Sequence, residues 1–238
     1  MSSQILVVSG PTGSGKTTWA ASMSHQHSVR LMNADAFQFY QEIPVLSNQP
    51  QEKNLWQFMA FQSLKEPLNA GEFGRISESA LNERGILVGT GLYLGVSLYG
   101  FDDDRRKGVP FQGPPKRQYK AVVFNPDRKH LYQQLDLRVD EMLKAGALQE
   151  ASSVAELINS GVVLRSNPVL KAIGLKHLLA HLMEKQNLET MIVEWKRDTR
   201  RLAKRQWTWL RKFMPPSSFC RWIDPVRELK EAETFLFK

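Results

Sequence analysis

Eight consecutive residues near the beginning of the chain carry the strongest chemical signal. They read GPTGSGKT and fit the pattern G-x-x-x-x-G-K-[ST] without a mismatch. In this pattern the glycines let backbone N–H groups turn toward phosphate oxygens, the lysine adds a mobile cation, and the last hydroxyl can hold a Mg²⁺ that bridges the phosphates. A helix that begins here points its positive end at the same anion. The sequence therefore predicts a di- or triphosphate site formed by Gly10, Pro11, Thr12, Gly13, Ser14, Gly15, Lys16 and Thr17.

A carboxylate follows the second apolar run of the chain. A hydrolase with this loop usually carries an acidic residue after a hydrophobic strand, where it holds Mg²⁺ or orients water. The apolar run at residues 85–89 ends in Thr90 without a carboxylate, whereas Asp35 follows the run at 29–34. Because the carboxyl ends of parallel strands line the ligand crevice, we expect Asp35 close to the phosphates. There it suits proton abstraction from a nucleophile, and the alternative is an aspartate that caps a helix.

Strands and helices alternate along the first half of the chain, and helices dominate the second half. This order predicts an α/β fold in which a P-loop NTPase-like parallel sheet is sandwiched by helices in three layers. We expect one domain over residues 1–238, with a helical C-terminal region over about 127–213 and a surface loop at 101–120. The predicted strands are 4–8, 29–34, 85–89 and 119–125, and the predicted helices are 16–25, 54–64, 73–83, 127–145, 147–160, 168–184 and 188–213.

Composition favours a globular protein with a polyanionic partner. Of the 238 residues, 42% are hydrophobic and 24% charged, and the formal net charge is +8. The apolar run at residues 5–8 is far too short for a membrane span or an export signal. The single cysteine, Cys220, excludes a disulfide framework and a multi-cysteine zinc site. We expect a cytoplasmic monomer without membrane association.

Seven segments, in order along most of the chain, resemble the motifs of tRNA dimethylallyltransferases, the isopentenyl transferases that modify adenosine next to the anticodon. The most specific of them reads TRRLAKRQWTWLR and is similar to the family pattern TRQ-x-AKRQ-x-TWLR. The phosphate loop is shared by many families, but this run is not. The matching segments are residues 10–17, 33–40, 47–50, 88–93, 138–142, 172–176 and 199–211.

The resemblance implies a reaction and roles for individual residues. Asp35 would accept a proton from the exocyclic amine of adenine, which attacks the allylic carbon of dimethylallyl diphosphate. The leaving diphosphate would be held by the loop amides, Lys16 and a Mg²⁺ on Thr17. Thr90 would lie across the cleft and orient the diphosphate or the amine, and Arg138 would add a diphosphate-binding cation, unless it is simply a surface residue of its helix.

This chain departs from the family pattern at several positions. A serine of the family becomes Ala36, the lysine of T-A-K-P becomes Gln49, the aromatic residue of A-I-G-Y-K becomes Leu175, and an alanine of the loop is Gly13. The family usually inserts a helical lobe that grips the anticodon stem-loop, and this chain has about twenty loop-like residues at 101–120 instead. The chemical core is kept while much of the tRNA clamp is absent.

A basic helix predicted at 188–213 is the candidate surface for RNA. Between residues 189 and 213 eight lysines or arginines face three acids, which leaves +5 of the chain's net charge of +8. Arg200, Lys204 and Arg211 fall within about 40° on a helical wheel and are assigned to tRNA phosphates. We assign tRNA contacts also to Asp35, Ala36, Phe37 and Gln38.

Three other functions compete with tRNA prenylation. Enzymes that prenylate free adenine nucleotides in cytokinin formation share the chemistry and also lack the inserted lobe. A P-loop kinase of a small molecule would use the same loop, but it would need a lid with clustered arginines, which residues 101–120 do not resemble. An RNA-binding protein without catalysis would have no use for an intact Lys16, Thr17 and Asp35.

Overall fold

One parallel sheet forms the centre of the molecule. The computed structural model describes residues 4–81, 85–100 and 114–238. Within these residues the sheet has six strands in the order β3-β2-β4-β1-β5-β6, and each neighbouring pair is parallel. The strands are β1 (Ile5–Ser9), β2 (Arg30–Ala34), β3 (Trp56–Gln57), β4 (Gly85–Gly89), β5 (Tyr119–Phe124) and β6 (Cys220–Ile223). The predicted parallel α/β fold is confirmed.

Helices cover both faces of the sheet. α1 and α8 pack on one face, and residues of α2 to α7 build the core on the other. The helices are α1 (Lys16–His27), α2 (Ala70–Ala80), α3 (Leu92–Tyr99), α4 (Arg128–Lys144), α5 (Ala147–Asn159), α6 (Ile173–Glu184), α7 (Leu188–Phe213) and α8 (Leu229–Phe237). The three-layer arrangement follows from the apolar strands, because a sheet buried on both faces needs cover on both sides.

Successive residues of each strand point to opposite layers. Ile5 and Val7 of β1 join the core beneath α2 to α7, whereas Leu6 and Val8 join the core beneath α1 and α8. The alternation is the two-residue period of a strand, and here both sets are apolar. All five residues of β1 are buried. The strand therefore fixes the start of the phosphate loop, which begins immediately after Ser9.

The helix predicted at residues 54–64 is wrong. Residues 53–55 form one short 3₁₀ turn, and Trp56 then pairs with Leu31 as the edge strand β3. Phe58 and Ala60 adopt positive φ angles of 61° and 49°, which end any regular element there. The apolar spacing of this run is typical of a helix, but its backbone forms hydrogen bonds with other segments. Part of it pairs with β2, and the Ala60 amide donates to the carbonyl of Gln38 in the turn at residues 36–39.

The predicted helical region is present as α4 to α7, whose buried side chains join the main core beneath the sheet. Residues 101–113 of the predicted loop lie outside the described residues, and Tyr119 and Lys120 at its end belong to β5. In the described part of the chain, no helix combines the length and the apolar composition that crossing a bilayer requires. α7 has the length, with 26 residues, but it is strongly charged.

Candidate active site

The phosphate loop joins the end of β1 to the beginning of α1. Gly13 and Gly15 have φ angles of 82° and 84°, in the left-handed region where a side chain is strained. The carbonyl of Pro11 accepts hydrogen bonds from the Ser14 amide at 3.2 Å and the Lys16 Nζ at 3.4 Å. A Cβ on Gly15 would meet no atom within 4 Å, so the loop backbone there borders open space. The predicted anion-binding loop is thus formed as a turn that leads into a helix N-terminus.

Lys16 and Asp35 face the same cleft. Lys16 is only 9% exposed, and burial lowers the pKa of its ammonium group to about 8, while Asp35 opposes this shift and Arg138 adds to it. Burial raises the pKa of Asp35 above its usual range, and the charge of Lys16 and a hydrogen bond from the Phe37 amide act in the opposite direction. Among the described residues that line this cleft, Asp35 is the one carboxylate.

Local hydrogen bonds hold Asp35 in place. Its carboxylate accepts a hydrogen bond from the Phe37 amide at 3.2 Å and so caps the short 3₁₀ helix Ala36–Phe39. Its backbone amide donates to Oδ1 of Asn33 at 3.0 Å, and Asn33 Nδ2 donates to the carbonyl of Phe58 at 3.0 Å. The two interpretations of Asp35 are therefore compatible, because the residue caps a turn and faces the phosphate loop.

Three further residues of the predicted site surround the loop. Thr17 lines the cleft in the first turn of α1, and the half-buried Arg138 of α4 lines it from the other side. Burial lowers the pKa of Arg138, and Glu141 partly offsets this effect. Thr90, after β4, donates its hydroxyl hydrogen to the carbonyl of Gly10 and so ties β4 to the start of the loop. Its role toward diphosphate or amine stays a prediction.

The segment after β2, assigned to tRNA contacts, forms one wall of the cleft. Gln38 is buried, and its Nε2 donates to the carbonyls of Ser47 and Asn48 at 3.3 and 3.0 Å. Glu150 of α5 fixes the same 43–49 loop from outside by accepting hydrogen bonds from the amides of Val45 and Leu46. Ala36 and Phe37 are half-buried in this wall. Gln38 therefore stabilises this wall through its hydrogen bonds, and Asp35 is the charged residue of the wall that faces the cleft.

A residue of the basic helix that is not among the predicted site residues contacts the phosphate loop. Gln206 of α7 accepts a hydrogen bond through Oε1 from the backbone amide of Thr12 at 2.7 Å. The two residues are 194 positions apart in the chain, so local pattern does not reveal the contact. The specific run at residues 199–211, in which Gln206 lies, was the available signal.

The three cations assigned to RNA on α7 do not share one environment. The guanidinium of Arg200 is half-buried and forms an ion pair with Asp136 of α4. Lys204 and Arg211 are exposed and border a separate recess beside α4. Trp207 of the same helix is buried and donates through Nε1 to Oδ1 of Asn125 at 3.1 Å. The structure brings Lys204 and Arg211 together and places Arg200 in a contact between helices.

Chemically, the cleft combines a cationic anion-binding loop with a carboxylate of raised pKa. Such a pair suits a reaction in which a phosphorylated leaving group departs while a nucleophile loses a proton. The cleft has no carboxylate at the end of β4, where a hydrolase of this fold usually carries one. β4 continues into Thr90 and Gly91 instead.

Comparisons with known proteins agree with this arrangement. The family model described as isopentenyl transferase matches residues 3–72, and the model described as IPP transferase matches residues 104–213. A tRNA dimethylallyltransferase of Salinibacter ruber is 28% identical over 282 aligned positions, which cover 89% of this chain and 86% of that protein. One of Oenococcus oeni is 27% identical over 237 positions, which cover 93% of this chain and 89% of that protein.

A solved structure has the same fold. The crystal structure of the full-length tRNA isopentenylpyrophosphate transferase from Bacillus halodurans superposes with a TM-score of 0.82 at 20% identity, covering 98% of this chain and 95% of that one. The alignment with the Salinibacter ruber protein is longer than the 238 residues of this chain, so that protein contains residues that this chain lacks.

Proposed function

We propose that this chain, as a member of the tRNA dimethylallyltransferase (isopentenyl transferase) family, transfers a dimethylallyl group from dimethylallyl diphosphate to the exocyclic amine of adenosine next to the anticodon in tRNA. The observation that carries the proposal is the meeting of Lys16 and Asp35 in one cleft at the phosphate loop. One group binds an anion and the other accepts a proton, as an alkylation with diphosphate as leaving group requires.

The reaction divides between the two sides of the cleft. The lone pair of the adenine amine forms a bond to the allylic carbon, the bond from that carbon to the diphosphate oxygen breaks, and the amine proton passes to Asp35. The loop amides, Lys16 and Arg138 stabilise the negative charge that develops on the diphosphate. The raised pKa of Asp35 makes its carboxylate a better proton acceptor than an exposed aspartate.

A magnesium ion fits the donor set beside the loop. Within the described residues no group of three or more acidic or histidine side chains is available to enclose a metal. Mg²⁺ usually retains several waters and binds through few protein oxygens together with substrate phosphates. The Thr17 hydroxyl, in the first turn of α1 and at the cleft, would be such a single ligand. When bound there, Mg²⁺ would supply positive charge to the departing diphosphate.

The choice of tRNA over a free adenine nucleotide rests on the relatives and on charge. The curated relatives are named for tRNA, and the basic helix α7 lies against the phosphate loop through Gln206. The alignment with the Oenococcus oeni relative has 237 positions and covers 89% of that protein. That tRNA dimethylallyltransferase is therefore not much longer than this chain. A short chain is therefore compatible with a tRNA substrate.

A direct competition tests the proposal. The protein is offered tRNA and adenosine monophosphate side by side with the same dimethylallyl diphosphate, and the prenylated products are measured. We expect prenylated adenosine in tRNA. Prenylation of the mononucleotide alone would favour the cytokinin-type alternative. Transfer of phosphate from ATP to a small molecule would place the protein among the kinases.

A further inference from the structure

One wall of the cleft is built on a turn of the backbone at residues 43–49. Within this turn the Ser47 amide donates to the carbonyl of Ile43 at 3.0 Å, and the Asn48 amide donates to the carbonyl of Val45 at 3.0 Å. Asn48 has a φ of 53°, in the left-handed region that is uncommon for a residue other than glycine. Ser47 and Asn48 both line the cleft. The conformation of this turn therefore sets the shape of the wall.

Two amides at the start of the turn are bound by a carboxylate from another element. The amides of Val45 and Leu46 donate to Oε1 and Oε2 of Glu150 at 2.7 and 2.9 Å. Amides in this place, like the first amides of a helix, have no carbonyl of the same turn to bind. Burial raises the pKa of Glu150, whereas the two amides and the charge of Lys53 favour its ionised form. Glu150 also lies in the first turn of α5, where the positive end of the helix stabilises a carboxylate.

The other end of the turn is bound by Gln38. Its Nε2 donates to the carbonyls of Ser47 and Asn48 at 3.3 and 3.0 Å. Gln49 forms the reverse contact, because its own Nε2 donates to the carbonyl of Gln38 at 3.2 Å. The turn is thus held at its start by α5 and at its end by the segment that follows β2.

These contacts connect Glu150 to the predicted proton acceptor. Gln38 belongs to the 3₁₀ helix Ala36–Phe39, and Asp35 caps that helix by accepting a hydrogen bond from the Phe37 amide at 3.2 Å. A series of hydrogen bonds therefore runs from Glu150 through the turn and Gln38 to the segment that carries Asp35. Glu150 is not among the described residues that line the cleft, so its influence on the cleft passes through the turn.

The phosphate loop on the opposite side of the cleft is held by different residues. Gln206 accepts from the Thr12 amide at 2.7 Å, and the Thr90 hydroxyl donates to the carbonyl of Gly10. Glu150 takes part in neither contact. A change at Glu150 should therefore affect the side of the cleft that carries Asp35 and leave the anion-binding side in place.

We propose that Glu150 is a positioning residue for the transfer step, because it holds the turn at residues 43–49 and thereby sets Asp35 against the adenine amine. The inference rests on the proposed function, in which that amine is the nucleophile. A displacement of about 1 Å in a reacting group lowers a rate by up to about 10²-fold, so a support outside the cleft is sufficient to control the reaction.

The kinetic test compares Glu150→Ala and Glu150→Gln with the matched control Glu156→Gln, which removes an exposed carboxylate from the same helix. The glutamine at position 150 keeps an oxygen that can accept from a backbone amide, and the alanine does not. We expect kcat to fall about 10–100-fold in Glu150→Ala and less in Glu150→Gln. The Kd for dimethylallyl diphosphate, measured by calorimetric titration, should stay close to the wild-type value in both. The control should change neither quantity.

A ¹³C NMR titration of the Asp35 carboxyl group gives a second measurement that does not require turnover. Burial is the main cause of the raised pKa of Asp35, so a wall that admits water should lower this pKa toward its usual range in Glu150→Ala. Lys16 and Arg138, which line the same cleft, are unaltered by the substitution. Because Glu150→Gln removes the same negative charge, a larger shift in Glu150→Ala reports the lost support and not the lost charge.

The outcomes separate the positioning role from the proposed function. Wild-type kcat in Glu150→Ala, equal effects of alanine and glutamine on kcat and on the pKa of Asp35, or a loss of diphosphate affinity as large as the loss of kcat would overturn the role. Leu46 also packs against α6, where a Cβ on Gly174 would lie 2.9 Å from its Cδ2, so the turn keeps one anchor in the variants. If Glu150→Ala is poorly folded, Glu150→Gln against Glu156→Gln makes the same comparison. If the wild type prenylates adenosine monophosphate and not tRNA, the proposed function fails, and the same measurements with that acceptor decide the role of Glu150.

Discussion

Gln206 accepts a hydrogen bond from the backbone amide of Thr12, 2.7 Å away, and so joins the basic helix to the phosphate loop. The amide of Thr12 belongs to the first turn of that loop, whose carbonyl at Pro11 is already bound by the Ser14 amide and Lys16. The shape of the anion site thus depends on a side chain from the other end of the sequence. Gln206 acts as a positioning residue.

We predict that Gln206→Leu weakens diphosphate binding more than tRNA binding. Without an acceptor, the Thr12 amide loses its partner, and an unpaired polar group of this kind costs about 1–3 kcal/mol. We expect the KM for dimethylallyl diphosphate to rise about tenfold, which corresponds to about 1.4 kcal/mol, with the Kd for tRNA nearly unchanged. Steady-state kinetics and tRNA binding measure the two effects.

Two variants distinguish positioning from general damage. Gln206→Glu keeps an oxygen acceptor for the Thr12 amide, so it should retain more diphosphate affinity than Gln206→Leu, even with its added charge. Gln134→Leu makes the same change at an exposed position of α4 and should leave the KM unaltered. An equal loss in the glutamate and leucine variants would contradict a role through this hydrogen bond.

Two substitutions of Asp35 distinguish its role as a helix cap from its proposed role as a proton acceptor. Asp35→Asn keeps an oxygen that can accept from the Phe37 amide, but it cannot take up the amine proton. We predict that Asp35→Asn and Asp35→Ala both lower turnover by about 10²–10⁴-fold while diphosphate binding stays close to wild type. Single-turnover rates and calorimetric titration measure this. If only the alanine variant loses turnover, Asp35 is a capping residue.

The pH dependence of the reaction should reflect both buried charges. The raised pKa of Asp35 means that its active, deprotonated form is lost as pH falls, and at a higher pH than for an ordinary aspartate. The lowered pKa of Lys16, about 8, means that its binding-competent, protonated form is lost as pH rises through that value. We therefore predict a bell-shaped profile of kcat/KM for dimethylallyl diphosphate.

The fall in kcat/KM at high pH, which we assign to Lys16, can be checked separately. Bound diphosphate favours the charged form of Lys16, so the limb should move to higher pH in kcat than in kcat/KM. Lys16→Arg should remove it, because a guanidinium stays protonated in this range. A wild-type kcat/KM that shows no decline above pH 8 would refute the assignment to Lys16.

Gly13 is predicted to be intolerant of the alanine that the family more usually carries. Its φ of 82° is in the left-handed region, and a Cβ would lie 2.7 Å from Leu135 and 2.9 Å from Leu131. The backbone conformation alone costs about 1–2 kcal/mol for an alanine. In a chain of this size that corresponds to a fall in Tm of about 2–8 °C.

Gly161→Ala is the matched control for this substitution. Gly161 has a similar φ of 76°, but a Cβ there would meet no atom within 4 Å. The additional loss of Tm in Gly13→Ala over Gly161→Ala, measured by thermal unfolding, therefore reports the crowding by the two leucines. If the two variants lose the same Tm, α4 moves enough to accommodate the added methyl group, and the predicted crowding is wrong.

Much of the fold follows from local pattern. The buried strands β1, β2, β4 and β5 and the helices α4, α5 and α7 are long or strongly apolar, and the structure confirms them near their predicted bounds. The helix predicted at residues 168–184 is confirmed only from Ile173 onward, because Pro168–Lys171 form a separate 3₁₀ helix. β6 has four residues and α8 nine, and both are defined by contacts with β5 and α1 that the local sequence does not carry. The helix assigned to residues 54–64 fails for the same reason, since tertiary pairing with β2 overrides its periodicity.

The site divides in the same way. The phosphate loop is contiguous and has one strict pattern, so its residues could be named from the sequence. Asp35 could be placed by the rule that strand ends meet at one edge of the sheet. The contact of Gln206 with Thr12 and the pairing of Arg200 with Asp136 depend on how α7 packs, and a helical wheel does not contain that information. A helical wheel gives the direction of each side chain around the helix axis but not the residues of other helices that it contacts. It therefore grouped Arg200 with Lys204 and Arg211.

The central place of β1 has a consequence for how the protein is made. β1 is synthesised before the other described strands, yet its neighbours are β4 and β5, with Val8 opposite Val88 on one side and Val122 on the other. A nascent chain must extend past residue 119 before both edges of this apolar strand can be paired. Until then it exposes a sheet edge of the kind that aggregates or recruits chaperones. Pairings so distant in sequence also make folding slow compared with that of a helical bundle of equal size.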